Sequence, residues 1–181
     1  MEDKLWKTLS RETVLQNGKW LTVENHTVEL PDGRQISNWP WVITPDYINV
    51  VAVTADGRFL CFRQNKYAIK DGLTLGIVGG YIEPGEDPLL AAQRELREET
   101  GYSSPSWTFL GKYAADANRG CGVGYLYLAQ QAVFEEKAES DDLEDIEIIF
   151  LSKTEVQASL KAGEIKVLGW AASVALAFQY L

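Results

Sequence analysis

The stretch GGYIEPGEDPLLAAQRELREETGY, residues 79–102, holds five glutamates and two arginines. Three of the glutamates, Glu95, Glu98 and Glu99, stand at i, i+3 and i+4, the spacing that puts side chains on one face of a helix. On an isolated helix such carboxylates repel by a few tenths of a kcal/mol per pair (~0.2–0.5), so positive charge belongs among them. Arg94, four residues before Glu98, or Arg97 could supply it, which makes the face a solvated one with internal ion pairs. A hard divalent cation could also supply it. Mg²⁺ and Mn²⁺ favour carboxylate, carbonyl and water oxygens, and glycines beside the helix can offer backbone carbonyls. Cations of this kind usually act on phosphates.

The carboxylates need a loop and a helix to place them. Gly79, Gly80, Pro84 and Gly85 favour a loop; Asp87 suits the N-cap, Pro88 the first helical position and Gly101 the C-terminal cap, which predicts a helix from Pro88 to Thr100. Leu89, Ala92 and Leu96 share another face and would dock it on a sheet. The surrounding sequence supplies strands. KWLTVENHTVEL and RQISNWPWVI flank the turn signal PDG, forming an amino-terminal hairpin, and YINVVAVT and RFLCFRQNKY flank ADG as a second, more continuously apolar and so more buried pair. SWTFLGKYAA, VGYLYLAQQAVF and IIFLS read as further strands, and residues 153–162 and 165–180 as helices. The pattern is α+β, with no repeats and no low-complexity linker.

Composition narrows the chemistry. The chain has 181 residues, 46% hydrophobic, enough for one domain with a sizeable core and a small appendage. A net charge of -9 and a pI near 4.7 oppose binding to nucleic acid. His26 is the single histidine and lies in a strand-like alternation, which removes zinc clusters and histidine-based triads. Cys61 and Cys121 have no paired or metal-like spacing. No signal-like opening and no apolar run near the ~20 residues of a membrane span is present, so a cytoplasmic protein without membrane partners is expected.

Gly80, five residues, Glu86, seven residues, then Arg94-Glu95-Leu96-Arg97-Glu98-Glu99-Thr100-Gly101-Tyr102 matches every defined position of the Nudix box. On these residues the chain resembles the Nudix hydrolases. The resemblance implies an α/β/α sandwich with a mixed sheet, Mg²⁺ or Mn²⁺ as cofactor, and cleavage of a nucleoside diphosphate linked to another moiety. It implies that Glu95, Glu98 and Glu99, with the backbone carbonyl of Gly79, hold the metal, Glu98 counting also among the catalytic residues, and that Gly80, Glu86, Arg94 and Gly101 shape the loop and helix. The metal would neutralise pyrophosphate oxygens and lower the pKa of a water.

Similarity to the ADP-ribose pyrophosphatase branch extends over ELPDGR, FRQNKYAI, DDLEDIEIIFLSKTEV and the closing GEIKVLGWAASVALAFQYL. That branch implies an amino-terminal β-hairpin subdomain, residues 1–45, that mediates a swapped homodimer, ahead of a hydrolase domain, 46–181, with the box at 80–102. It also implies a general base in the acidic loop, Glu144 first and Asp142 second, and a basic group on the pyrophosphate at Lys66. Arg63 is a further candidate, but strand alternation sends residues 63 and 65 to one face and 64 and 66 to the other, so Arg63 and Lys66 are not expected on one ligand. Trp39 and Trp41 could stack on a base or pack in an interface. The chain departs from the branch in two places: GIVGG stands where a Glu-x-Pro-Ala-Gly run is usual, and ADANRGCGVGY lacks the usual proline while offering Arg119 to a phosphate or base. The expected substrate is an ADP-ribose-like compound or another NDP-sugar, with other Nudix activities on triphosphates or dinucleotides, or a non-catalytic nucleotide-sugar sensor, as alternatives.

Overall fold

The computed structural model describes residues 5–70, 72–136 and 146–181. They divide into two compact units, one formed by Met1–Asp46 with Ala114–Val123 and the other by Tyr47–Tyr113 with Gly124–Leu181. The segment Ala114–Val123 comes from the middle of the chain and lies outside a simple division at residue 45.

The first unit is a three-stranded antiparallel sheet, β1 (Lys7–Asn17), β2 (Leu21–Glu29) and β3 (Gln35–Ile43), in that spatial order. The hairpin foreseen around PDG is β2–β3, where Gly33 takes φ +82° and Leu30 and Arg34 close the turn by a backbone hydrogen bond of 2.8 Å. The third strand, β1, pairs with β2 from Lys7↔Glu29 to Asn17↔Leu21. Its eleven residues are all exposed, which removes the one-sided burial that makes a strand legible in sequence. His26 is structural: its ring is buried, 2.7 Å from a Glu24 carboxylate oxygen and stacked on Trp41.

The second unit is built on a mixed sheet. β4 (Tyr47–Thr54) lies between β5 (Phe59–Asn65) and β10 (Val123–Phe134), antiparallel to the first and parallel to the second. β11 (Glu147–Leu151) adds to β5, and β8 (Tyr102–Ser103) and β9 (Ser106–Ala114) add to β10. β6 (Leu73–Gly76) pairs with β5 and β7 (Val78–Tyr81) with β4.

Strand alternation sorts the core into two layers. Ile48, Val50 and Ala52 of β4, with Leu60 and Phe62 of β5, join Ala91, Ala92 and Leu96 of helix α1 (Pro88–Thr100). Val51 and Val53, with Phe59 and Cys61, join Val156 of α2 (Lys153–Ala162) and Trp170 and Val174 of α3 (Leu168–Ala177). A sheet with helices on both faces results, and burial on both sides is why these strands read as continuous apolar runs. The third helix is shorter than the 165–180 expected. Gly163 ends α2 in the left-handed region at φ +73°, and residues 164–166 are then tied to β6: the Leu75 N–H donates to the Glu164 carbonyl at 3.0 Å and the Lys166 N–H to Thr74 Oγ1 at 3.0 Å.

Candidate active site

Helix α1 begins and ends where its caps require. Asp87 Oδ1 accepts the N–H groups of Leu89 and Leu90 at 2.9 and 3.2 Å, Pro88 needs no amide partner, and Gly101 in the left-handed region donates to the Arg97 carbonyl at 2.8 Å. Before it, the Glu83–Glu86 turn closes on itself: the Glu83 N–H donates to Glu86 Oε2 at 3.0 Å, and the Glu86 N–H to the Glu83 carbonyl at 2.9 Å.

Arg94 ties this turn to the helix face. Its Nε and Nη2 donate to the two Glu86 oxygens at 2.9 and 3.1 Å, a two-pronged contact, while Nη1 bridges Glu95 Oε1 at 2.7 Å and Glu98 Oε2 at 3.0 Å. Nη2 also reaches the Tyr81 carbonyl at 3.2 Å. Of the two candidate counter-charges, Arg94 is the one that serves the acidic face. The Arg94 bonds hold the Glu86 carboxyl below its ordinary range, and the same Glu86 bond, ahead of those from Glu95 and Glu98, raises the Arg94 guanidinium. Glu95 moves the other way. Burial pushes its carboxyl up, and the opposing pull of Arg94 does not cancel that desolvation.

Gly79 and Gly80, read from sequence as loop, belong to strand β7 and pair with Asn49 and Ile48 of β4. Glycine at these positions answers to close approach rather than to turning. A Cβ on Gly80 would lie 2.1 Å from the Glu95 carboxyl carbon and Oε1, and one on Gly79 would lie 2.9 Å from Asn49 Oδ1 and 3.2 Å from the Ile48 carbonyl oxygen. The bare strand lets the Glu95 carboxylate rest against its backbone, and the Gly79 N–H donates to Glu99 Oε2 at 3.4 Å.

Glu95, Glu98, Glu99 and the Gly79 backbone thus share one neighbourhood, and their oxygen chemistry fits a hard divalent cation of the Mg²⁺ or Mn²⁺ type. Among the described residues no group of three or more His, Cys, Asp or Glu side chains converges closely enough to hold an ion. Arg94 Nη1 draws Glu95 and Glu98 to itself, while Glu99 is turned toward the Gly79 N–H.

A cavity of about 350 Å³ adjoins the glycines, lined by Gly79, Gly80, Tyr47, Asn49, Lys66 and Trp170 among others. Lys66 Nζ lies 5.9 Å from the Trp170 ring centroid. Burial raises the Tyr47 phenol above its ordinary value, so it stays neutral. Arg63 goes elsewhere, as alternation requires: it pairs with Glu147 at 2.8 Å and lines a separate cavity with Thr74, Glu164 and Lys166.

Trp41 and Arg119 both belong to the first unit. One face of the Trp41 indole is stacked on His26, with ring centroids 5.3 Å apart, and a Cβ on Gly120 would meet its Nε1 at 2.5 Å. Trp39 Nε1 donates to the Asn118 carbonyl at 3.1 Å, and Arg119 pairs with Asp116 at 3.1 Å. These tryptophans therefore fasten the segment that carries Arg119. Glu144 and Asp142 lie outside the described residues. Sequence reasoning missed Tyr47, Asn49 and Trp170 as cavity residues. For Asn49 a signal exists: an amide in the middle of YINVVAVT, where a buried strand has no ordinary use for one.

Residues 44–171 match the family described as NUDIX domain, and residues 6–42 match the nucleoside diphosphate sugar hydrolase N-terminal domain. The chain is 30% identical to the ADP-ribose pyrophosphatase of Bacillus subtilis (strain 168) over 97% of its own length and 91% of the relative's. It is 29% identical to the methanol dehydrogenase activator of Bacillus methanolicus over the same shares, 97% and 91%. It is 27% identical to the ADP compounds hydrolase NudE of Escherichia coli (strain K12) over 77% of each chain. A crystal structure of an ADP compounds hydrolase superposes with a TM-score of 0.82 at 22% identity, covering 97% of this chain and 94% of that one, and so shares its fold.

Proposed function

The chain belongs to the NUDIX family, and on that premise we propose that it hydrolyses the pyrophosphate bond of a nucleoside diphosphate joined to another moiety, an ADP-ribose-like compound or another NDP-sugar. The observation that carries this reading is the meeting of two box glutamates, Glu95 and Glu99, with a bare glycine strand that also walls a cavity bearing Lys66, while Arg94 ties the third, Glu98, to Glu95. The match to the nucleoside diphosphate sugar hydrolase N-terminal domain and the likeness to the B. subtilis ADP-ribose pyrophosphatase support the substrate class.

Glu95, Glu98 and Glu99, with the Gly79 carbonyl, would hold Mg²⁺ or Mn²⁺. When bound, such a cation supplies positive charge to the diphosphate oxygens and lowers the pKa of a water. Lys66 adds a cation from the cavity side and would touch the same diphosphate. Arg94 sets the geometry: by gripping Glu86 with two nitrogens and Glu95 and Glu98 with the third, it fixes the helix face relative to the turn. A carboxylate in the acidic segment, Glu144 or else Asp142, would accept the proton of the attacking water as its oxygen bonds to phosphorus. The bridging P–O bond then breaks, leaving two phosphate monoesters.

The amino-terminal sheet would form the homodimer contact. Leu9, Val14 and Leu15 of β1 and the nearby Trp6 and Trp20 are each about half exposed, an apolar surface that a second copy could cover. No described helix is long and apolar enough to cross a membrane, and Cys61 and Cys121 are both free, which supports a place in the reducing cytoplasm.

The test is Glu99→Gln assayed at saturating Mg²⁺ against ADP-ribose, UDP-glucose, GDP-mannose, NADH, diadenosine polyphosphates and nucleoside triphosphates, with phosphate released by a coupled phosphatase. Wild-type turnover of a diphosphate sugar and collapse in the variant, with an unchanged circular dichroism spectrum, is expected. Near-normal turnover by Glu99→Gln would show the metal assignment to be wrong.

A further inference from the structure

Asn49 stands out within the cavity. The residue is 3% exposed, and its Nδ2 is buried without a hydrogen-bond partner among the described residues. Buried amides of this kind are costly unless something pairs with them. Two close-packed glycines make room for the amide itself: Gly169, at the start of α3, has no Cβ, and one there would lie 3.0 Å from Nδ2, while on Gly79 a Cβ would lie 2.9 Å from Oδ1. Two glycines on different elements therefore flank the same amide.

The rest of the lining restricts what can sit there. Among the described residues that line the cavity, Lys66 is the one charged residue and none is a carboxylate. Tyr47, Tyr81 and Trp170 contribute aromatic surface, and Trp170 is held against Gly76 of β6, where a Cβ would meet its ring at 3.0 Å. Flat aromatic walls favour a ring with an apolar face, and a lone N–H donor at a buried position rewards an acceptor oxygen.

We propose that Asn49 is a specificity-determining residue that hydrogen-bonds, through Nδ2, an acceptor oxygen on a neutral ring of the substrate seated in this cavity. The inference rests on the hydrolase reading above and adds to it which group is read and by what. The ring is either the sugar beyond the diphosphate, through a hydroxyl or ring oxygen, or, in a uracil or guanine nucleotide, the base, through a carbonyl; adenine has no such oxygen, so for an ADP-ribose-like compound the sugar is the group read. A site that hydrogen-bonds a substrate group discriminates strongly, because the site's own donor is left unpaired when that group is missing.

Asn49→Leu, which keeps the number and branching of heavy atoms without the amide, and Asn49→Asp, which keeps the shape but replaces the donor, test the assignment. For the preferred substrate, kcat/KM should fall about ten- to a hundredfold in both variants, mainly through KM. The melting temperature of ligand-free Asn49→Leu should not fall, since an unpaired buried donor has been removed. Calorimetry of ADP-ribose, UDP-glucose and GDP-mannose in EDTA gives a readout independent of turnover, and affinity should drop in parallel. A loss that differs between ADP-glucose and UDP-glucose, which share the sugar, assigns the base, whereas a loss that disappears with deoxy-sugar analogues assigns the sugar.

Wild-type hydrolysis with unchanged KM and affinity in both variants overturns the role of Asn49 and leaves the hydrolase reading standing. Absence of wild-type hydrolysis with Asn49-dependent binding overturns the hydrolase reading and keeps the assignment. Absence of wild-type binding to every compound overturns the assignment. A melting temperature that falls sharply in Asn49→Leu, with affinity intact, marks the amide as merely structural.

Discussion

Replacing Gly80 by alanine should separate the fold of this protein from its chemistry. Gly80 is not among the positive-φ glycines, so alanine meets no backbone penalty at that position. Its Cβ would lie 2.1 Å from the Glu95 carboxyl carbon and must reach the 3.4 Å at which ordinary contact begins, a displacement of about 1.3 Å. The obstacle is the far end of a flexible side chain, so the carboxylate swings aside and the strand stays. The stability change should stay within about 1 kcal/mol, which for a chain of this size is a shift of roughly 2–4 °C in Tm. Catalysis is far less tolerant. Mg²⁺ demands near-ideal octahedral geometry with ligands at about 2.0–2.1 Å, and a misplacement of about 1 Å in a catalytic constellation can cost on the order of a hundredfold. Glu95 would also leave Arg94 Nη1, now 2.7 Å away. Steady-state hydrolysis at saturating Mg²⁺, with thermal melting on the same sample, should therefore show kcat down by about two orders of magnitude and Tm nearly unchanged. Gly79→Ala is the contrast, because its Cβ would meet the Ile48 backbone carbonyl at 3.2 Å as well as the buried Asn49, and it should lower Tm more than Gly80→Ala does. Wild-type kcat in Gly80→Ala would refute the placement of Glu95 in the working site.

Three further outcomes are expected. Burial pushes the Cys61 thiol up to about 12, so near pH 8 a thiol reagent should label Cys121 in the native protein and Cys61 only after denaturation; rapid native labelling of Cys61 would contradict its burial. Trp39→Phe removes the indole donor to the Asn118 carbonyl, a bond worth about 0.5–1.5 kcal/mol, and should speed amide exchange across residues 114–123 while the β2 amides stay protected; unchanged exchange would show that this bond does not fasten the segment. Light scattering at micromolar concentration should give a dimer mass, with Leu9→Glu combined with Leu15→Glu giving a monomer; a monomeric wild type would remove the dimer proposal.

The amino-acid sequence by itself determined the elements whose signals are local. Helix α1 runs from Pro88 to Thr100 as its caps and apolar spacing require, because Asp87, Pro88 and Gly101 act on backbone groups within a few residues of themselves. The alternating and apolar runs gave β4, β5, β9 and β10 close to their limits, since one- or two-sided burial leaves a periodic trace. The box spacing likewise pointed to the family to which the chain belongs. Tertiary structure decided the rest. The fully exposed β1 has no periodic trace, and Gly79 and Gly80 look like loop until their partners Asn49 and Ile48 are known, because a strand built of glycine is explained only by what presses against it. The choice of Arg94 as the hub of the acidic face, the separation of Arg63 from Lys66 into different cavities, and the placing of Asn49, Lys66 and Trp170 around one space all depend on contacts between residues far apart in the chain. Local propensity carries no information about such meetings; packing of the two layers on the sheet creates them.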